Sequence, residues 1–116
     1  MGSYARAAQI MAQLEAHDIR AVADPRSAFP PCVLLTPPTR TYDLPLPNYT
    51  ATWTLAILAP GPGSADAWVA LDELLDQVVE ALELSDSVAT PASYQLPSAT
   101  EPHPAYLLTI TEGTDL

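Results

Sequence analysis

Apolar residues recur every three or four positions in two segments of the chain. The first segment begins at Ser3, whose hydroxyl is suited to cap a helix, and ends near His17. The second begins at Ser64 and ends near Leu84. Its apolar stripe consists of Trp68, Leu71, Leu75, Val78 and Leu82. We predict an amphipathic helix in each segment, with Trp68 anchored in the core.

The first half of the remaining chain has the shorter periodicity of strands. Residues 18–23 and 32–36 are short apolar runs that end at prolines, which cannot donate a hydrogen bond to a sheet. Residues 51–58 alternate between a strongly apolar and a milder face, and they give the clearest strand. Residues 41–48 contain two prolines and are predicted to form a stiff excursion or an edge segment.

The second half adds weaker strands. Residues 87–89 and 93–96 flank Pro91, and residues 106–110 alternate well after a loop at 97–104. The predicted order is therefore α-β-β-β-α-β-β. Short connections between sequential strands favour a mostly antiparallel sheet packed by the two helices. We expect an α+β fold in a single domain that spans residues 1–116.

The charge balance narrows the possible partners. The chain has 14 acidic residues against four arginines and no lysine, which gives a net charge of −10. Nucleic-acid binding and anionic membranes require the opposite sign of charge. An acidic wall also lets DNA pass without sticking. There is no apolar run long enough to span a membrane and no visible secretory signal, so the expected location is the cytoplasm.

Histidine and cysteine give no recognisable reactive site. His17, His103 and Cys32 have none of the spacings of a zinc site. His17 is explained by the end of the first helix, where a cation is favoured. Cys32 lies in an apolar run and is predicted to be a buried, unreactive side chain.

The acidic and glycine-rich segments are also explained without chemistry. Asp72, Asp76 and Glu80 share one helix face, which is typical of a solvated surface. Gly61 and Gly63 alternate with prolines, which lack the amides that a phosphate-binding loop needs. We therefore predict no catalytic residue, no cofactor and no metal site, and we do not expect an enzyme.

Aromatic and proline-rich segments remain as candidates for assembly. The candidate interface residues are Arg40, Tyr42, Tyr49, His103 and Tyr106. Arginine and tyrosine are enriched in protein interfaces, and prolines reduce the entropy lost on binding. The alternative is that these segments are ordinary surface loops.

The layout of the chain resembles a family of phage proteins. The first helix, the excursion at 36–40, the strand at 49–58 and the Pro60-Gly61-Pro62-Gly63-Ser64 turn into the second helix follow one another as in small tail-completion proteins of long-tailed bacteriophages. The tail terminators of phages that infect actinobacteria are the most similar. The lysine-free, alanine- and proline-rich composition is also typical of a GC-rich genome.

The resemblance implies a structural role without catalytic residues. Tail terminators form a ring, typically a hexamer, that caps the tail tube and presents a surface to the head connector. On this basis we expect a homo-oligomeric ring with a tail tube protein and a head-tail connector protein as partners. DNA would pass through its acidic channel without specific binding. The protein would lie at the head-proximal end of the virion tail, after assembly in the host cytoplasm. Neighbouring subunits would meet through sheet edges and the 36–48 excursion.

Two other functions are compatible with the residues. One is a small α+β ligand-binding domain or enzyme, with Trp53, Trp68, Cys32 and His103 around an apolar pocket. Such a pocket would have a volume of at least ~300 Å³ and convergent polar groups. The other is a structural adaptor of a bacterial secretion or contractile apparatus, which would share the ring architecture.

Overall fold

A computed structural model describes residues 3–29, 31–42, 49–59, 65–84, 87–97 and 103–114. Within these ranges lie two helices and six strands. The helices are α1 (Ser3–Glu15) and α2 (Ala65–Ala81). The strands are β1 (Ala21–Val22), β2 (Cys32–Leu35), β3 (Thr39–Tyr42), β4 (Tyr49–Leu58), β5 (Val88–Tyr94) and β6 (His103–Thr114).

All six strands belong to one sheet. The order across it is β1-β2-β4-β6-β5, and β3 pairs with β4 as well. The β1–β2 pair is parallel and the other four pairs are antiparallel. The predicted α+β fold with a mostly antiparallel sheet is therefore confirmed. The chain has one strand more than predicted, because residues 39–42 form β3; residues 43–48 of the predicted excursion lie outside the described residues.

Three strands differ in extent from the prediction. The two weak strands around Pro91 are one continuous strand, β5, and its place at the sheet edge leaves the missing amide donor of the proline without consequence. β6 begins at His103, which was wrongly placed in a loop, because residues 105–114 pair with the whole of β4. β1 has only two residues, since Asp24 caps a short 3-10 turn directly after it.

Both helices end with a residue in the left-handed backbone conformation. Asp18 and Glu83 have φ angles of 60° and 53°. The amide of Ile19 donates to the carbonyl of Leu14, and the amide of Leu84 donates to that of Val79, each at about 3 Å. These are Schellman motifs, which satisfy the last helical carbonyls and bring an apolar residue back onto the helix. Glycine is the usual residue at this left-handed position, and Asp18 and Glu83 occupy it here.

The core lies on both sides of β4. Trp53, Leu55 and Ile57 face the two helices and pack in a cluster with Leu14 and Val78. On the opposite face of the sheet, Ala56 and Leu58 pack with Cys32, Leu34 and Leu96. The first half of β4 is buried only on its helix side. Its other side bears the half-buried Thr50, Thr52 and Thr54, which alternate with the buried residues. This change from one-sided to two-sided burial accounts for the pattern of its sequence.

Trp68 is not part of the core, so that prediction was wrong. Its side chain is 66% exposed, whereas Ala67, Leu71 and Val78 are buried. Successive helical residues are about 100° apart, so a buried stripe centred on Ala67, Leu71, Val78 and Ala81 leaves Trp68 at its margin. Two of the buried positions are small alanines, whereas the sequence pattern gave more weight to the large indole.

Candidate assembly interface

A one-residue bulge connects β2 to β3. Leu35 lies opposite Leu55, but Thr39 lies opposite Thr52, so three residues on one strand face two on the other. The extra residue falls at Pro37-Pro38, where two consecutive residues have no amide to donate. The hydroxyl of Thr36 donates to the carbonyl oxygen of Thr54 at 3.4 Å. β2 and β3 thus pair with the same edge of β4. The odd-numbered residues of β2 face the helices, whereas in β3 the even-numbered residues do so.

The bulge creates a three-stranded ribbon at one end of the sheet, made of β3, residues 49–53 of β4 and residues 110–114 of β6. Within the described part of the chain, β3 pairs only with β4. β5 begins opposite Thr109, so residues 110–114 of β6 also pair only with β4. Among the described residues, no further strand pairs with the outer side of β3 or of residues 110–114, and these two edges lie on opposite sides of the ribbon. Since β3 and β6 are both antiparallel to β4, they run in the same direction.

The paired residues of the ribbon edges contain no proline, and each edge has one charged side chain, Arg40 on β3 and Glu112 on β6. Proteins discourage edge pairing with prolines, lysines or very short strands. β5 has Pro91 and β1 has only two residues. β3 is Thr-Arg-Thr-Tyr, composed mainly of good strand formers, and all four of its side chains are exposed. The outer sides of β3 and of residues 110–114 are therefore not covered by any other described strand.

Three of the predicted interface residues meet on the helix side of the ribbon. The guanidinium of Arg40 lies 4.6 Å from the ring centre of Tyr49, and the rings of Tyr42 and Tyr49 are 5.5 Å apart. Arg40 Nη1 donates to Tyr42 Oη at 3.2 Å, which raises the pKa of Arg40 above its ordinary value and keeps it charged. Tyr42 is 56% exposed and Tyr49 is buried beneath it.

Glu112 is a functional candidate that the sequence analysis missed. Its Oε1 accepts from Arg6 Nε at 2.9 Å and from Trp53 Nε1 at 3.0 Å, and its Oε2 accepts from Arg6 Nη2 at 3.2 Å. The side chain is still 30% exposed. The sequence contains a sign of this role. Glu112 continues the alternation of Tyr106, Leu108 and Ile110, which places an acidic residue at a position that faces the helices.

His103 and Tyr106 lie away from the other three predicted residues. They belong to the opposite end of β6, where His103 pairs with Tyr94 and Tyr106 pairs with Ile57. Tyr106 is partly buried against the core, and His103 Nδ1 is buried without a hydrogen-bond partner among the described residues. The structure therefore gathers Arg40, Tyr42 and Tyr49 into one surface, which excludes His103 and Tyr106.

The acidic residues of α2 form a separate surface. Asp66, Asp72, Glu73, Asp76 and Glu80 are all exposed on a helix that contains no basic residue. The mutual repulsion of these carboxylates is tolerated because they are solvated. Arg6 and Arg40 lie instead at the ribbon. The domain thus has an acidic helix and an arginine-bearing strand ribbon.

Cys32 is buried, as predicted. Its side chain has no exposed surface, and burial raises the pKa of the thiol above its ordinary value. Because the folded state favours the neutral thiol, the stability that this adds is complete at neutral pH. It is lost as pH rises above the ordinary pKa of a thiol.

We therefore expect Cys32 in the folded protein to resist an aromatic disulfide reagent at pH 8 for hours. It should react within minutes in concentrated urea. The release of the coloured thiolate measures both rates. Rapid reaction of the native protein would contradict this placement of the side chain.

Two concave regions are lined by described residues, and neither is lined by all four of Trp53, Trp68, Cys32 and His103. An apolar cleft of about 200 Å³ is lined by Tyr4, Ala7, Ala23, Leu35, Thr36, Pro37, Pro38 and Trp53. An open groove of about 390 Å³ is lined by Asp18, Ile19, Arg20, Pro31, Ala70, Glu73, Leu74 and Gln77. Trp53 lines the cleft, but Cys32 and His103 are on the other face of the sheet and Trp68 is on the surface of α2.

The described ranges contain no group of three or more histidine, cysteine or acidic residues that could hold a metal ion. In the same ranges, no helix has the length and apolarity needed to cross a membrane. Comparison of the sequence with protein-family models and with curated proteins found no match.

Proposed function

We propose that this protein is a tail terminator of a long-tailed bacteriophage, in which several copies form a ring that caps the tail tube. The observation that carries the proposal is the ribbon, which has on each of its opposite sides an edge that no further described strand pairs with. Contacts between two different edges are head-to-tail, and head-to-tail contacts related by rotation close into rings.

The distribution of charge supports the same role. A subunit that surrounds DNA needs a surface that does not bind phosphates, and the acidic residues of α2 supply one. With a net charge of −10, the outside of the molecule repels DNA as a whole. The proposed position is the head-proximal end of the tail, between the tube protein and the connector. The ring is assembled in the cytoplasm of an actinobacterial host, and six copies is the expected number.

The mass of the purified protein in solution tests the assembly. Each chain has a mass of 12.4 kDa, so a hexamer corresponds to about six times that value. We expect light scattering after size exclusion to give one closed species whose mass does not rise with concentration. A protein that remains a monomer at high micromolar concentration would contradict the proposal.

A second experiment tests the role in the tail. Added to growing tubes of the tail protein from the same phage, the protein should stop elongation and be seen at one tube end by electron microscopy. Bovine serum albumin at the same concentration is the control for non-specific inhibition. Tubes of unchanged length, with no added density at either end, would exclude a tail terminator even if a ring forms.

The groove beside α2 favours ligand binding as a second candidate function. Its volume of about 390 Å³ exceeds the ~300 Å³ of a small-molecule pocket, and Asp18, Arg20 and Glu73 give it polar walls. Native mass spectrometry of the freshly purified protein tests it. A small molecule retained in stoichiometric amount, and lost when Arg20 is replaced by alanine, would favour this candidate over the ring.

A further inference from the structure

We infer that neighbouring copies join by pairing β3 of one copy with residues 110–114 of β6 in the next, parallel and in register, so that their ribbons form one continuous sheet. The inference rests on the proposed function, because it names the contact that would build the ring. It also specifies which residues of the two copies lie side by side.

The register within one chain defines the register between copies. Thr39, Thr52 and Thr111 lie in one row across the ribbon, and Arg40, Ala51 and Glu112 lie in the next. A second copy added without a shift along the strands places its Thr39 beside Thr111 and its Arg40 beside Glu112.

Charge complementarity favours this register. Arg40 and Glu112 both lie on the helix side of the sheet, as the contact of Arg40 with Tyr49 and that of Glu112 with Trp53 show. The carboxylate of Glu112 accepts three hydrogen bonds from Arg6 and Trp53, and a carboxylate has about four acceptor sites. One acceptor site on Oε2 therefore remains for the guanidinium of the neighbouring copy.

Shifted registers lack this match. A shift of one residue turns Arg40 of the incoming strand to the other face of the sheet. A shift of two residues places it beside Ile110 in one direction and beside Thr114 in the other, and neither residue has the negative charge of Glu112. In the unshifted register the opposite face pairs Thr39 with Thr111, a favourable cross-strand combination. The sequence of the two edges thus specifies both the partner, a second copy, and its alignment.

Disulfide trapping tests the register directly. In the variant Thr39→Cys/Thr111→Cys, the two new cysteines of adjacent copies would have Cα atoms about 5 Å apart, within the range of a disulfide. In one chain they are separated by β4 and lie about 10 Å apart, too far to bond. The control Thr41→Cys/Thr111→Cys places the partners about 8 Å apart across the same contact. Native Cys32 is buried and does not compete.

Mild oxidation of the first variant should give a covalent ladder that ends at the mass of the native ring, whereas the control should remain mostly uncrosslinked. Mixing the single variants Thr39→Cys and Thr111→Cys should give a covalent dimer and nothing larger, because each copy then has only one cysteine at the contact. This second measurement also serves if the double variant does not fold.

The outcomes separate this inference from the proposed function. If the wild-type protein is a ring but both cysteine pairs crosslink equally, or neither pair does, the pairing inferred here is wrong and the ring remains. If the wild-type protein is a monomer before oxidation, both are wrong. Crosslinking restricted to the matched pair supports both.

Discussion

Replacing Trp53 with alanine is expected to lower the free energy of unfolding by about 3–5 kcal/mol. The indole is 2% exposed and packs between the sheet and α1. Its removal would extend the existing apolar cleft into the core, and it would also leave Glu112 without the hydrogen bond from Trp53 Nε1. Urea denaturation followed by circular dichroism measures the change.

The second tryptophan provides a matched control for this measurement. Trp68→Ala is expected to change the free energy of unfolding by less than about 1 kcal/mol, because the side chain is 66% exposed. Equal losses in the two variants would mean that α2 packs on a different face from the one described. A small loss at Trp53 would mean that the cleft closes around the missing side chain.

Replacing Arg40 with glutamate is expected to dissociate the assembled protein. The incoming glutamate would lie beside Glu112 of the next copy, where like charges repel, in place of an attractive pair. We expect each contact to weaken about tenfold, and a closed ring multiplies that loss over all its contacts. Sedimentation velocity across a dilution series measures the change as a fall in the assembled fraction.

Arg26→Glu is the control, since it makes the same change in net charge. Arg26 is exposed and pairs with Asp24 in the turn after β1, which is not part of the ribbon. This variant should assemble like the wild-type protein. If both variants dissociate, the loss comes from overall charge and the specific pairing with Glu112 is excluded.

The layered fold could be predicted because burial follows simple periodicities. The apolar stripe that includes Leu71 and Val78 predicted α2, and the alternation through Trp53, Leu55 and Ile57 predicted β4. The failures have a common cause. A sequence pattern assigns residues to the core by their size and hydrophobicity. In the folded protein, the helix buries the face that packs best against the sheet. Small alanines at positions 67 and 81 were therefore favoured over Trp68.

The interface was only partly predictable, for a different reason. Arg40, Tyr42 and Tyr49 were identified by residue type, and the structure brings them together on neighbouring strands. β3 itself has no apolar alternation, because all its side chains are exposed, so no periodicity could reveal it. The role of Glu112 depends on contacts with Arg6, 106 positions away along the chain. Such contacts follow from the pairing of β4 with β6, which the sequence does not define.

The bulge at Pro37-Pro38 determines on which face of the sheet the charged side chain of β3, Arg40, lies. With the extra residue present, Arg40 and Tyr42 point to the helix layer and Thr39 and Thr41 point away from it. If residues 36–42 instead continued the register of β2 without a bulge, Arg40 would lie opposite Thr50 and the two sets would be exchanged. The arginine would then stand on the threonine side, out of reach of Glu112. The bulge thus absorbs one residue without turning the edge over, so that a chain shorter by one proline would present the same face to its neighbours through a straight strand.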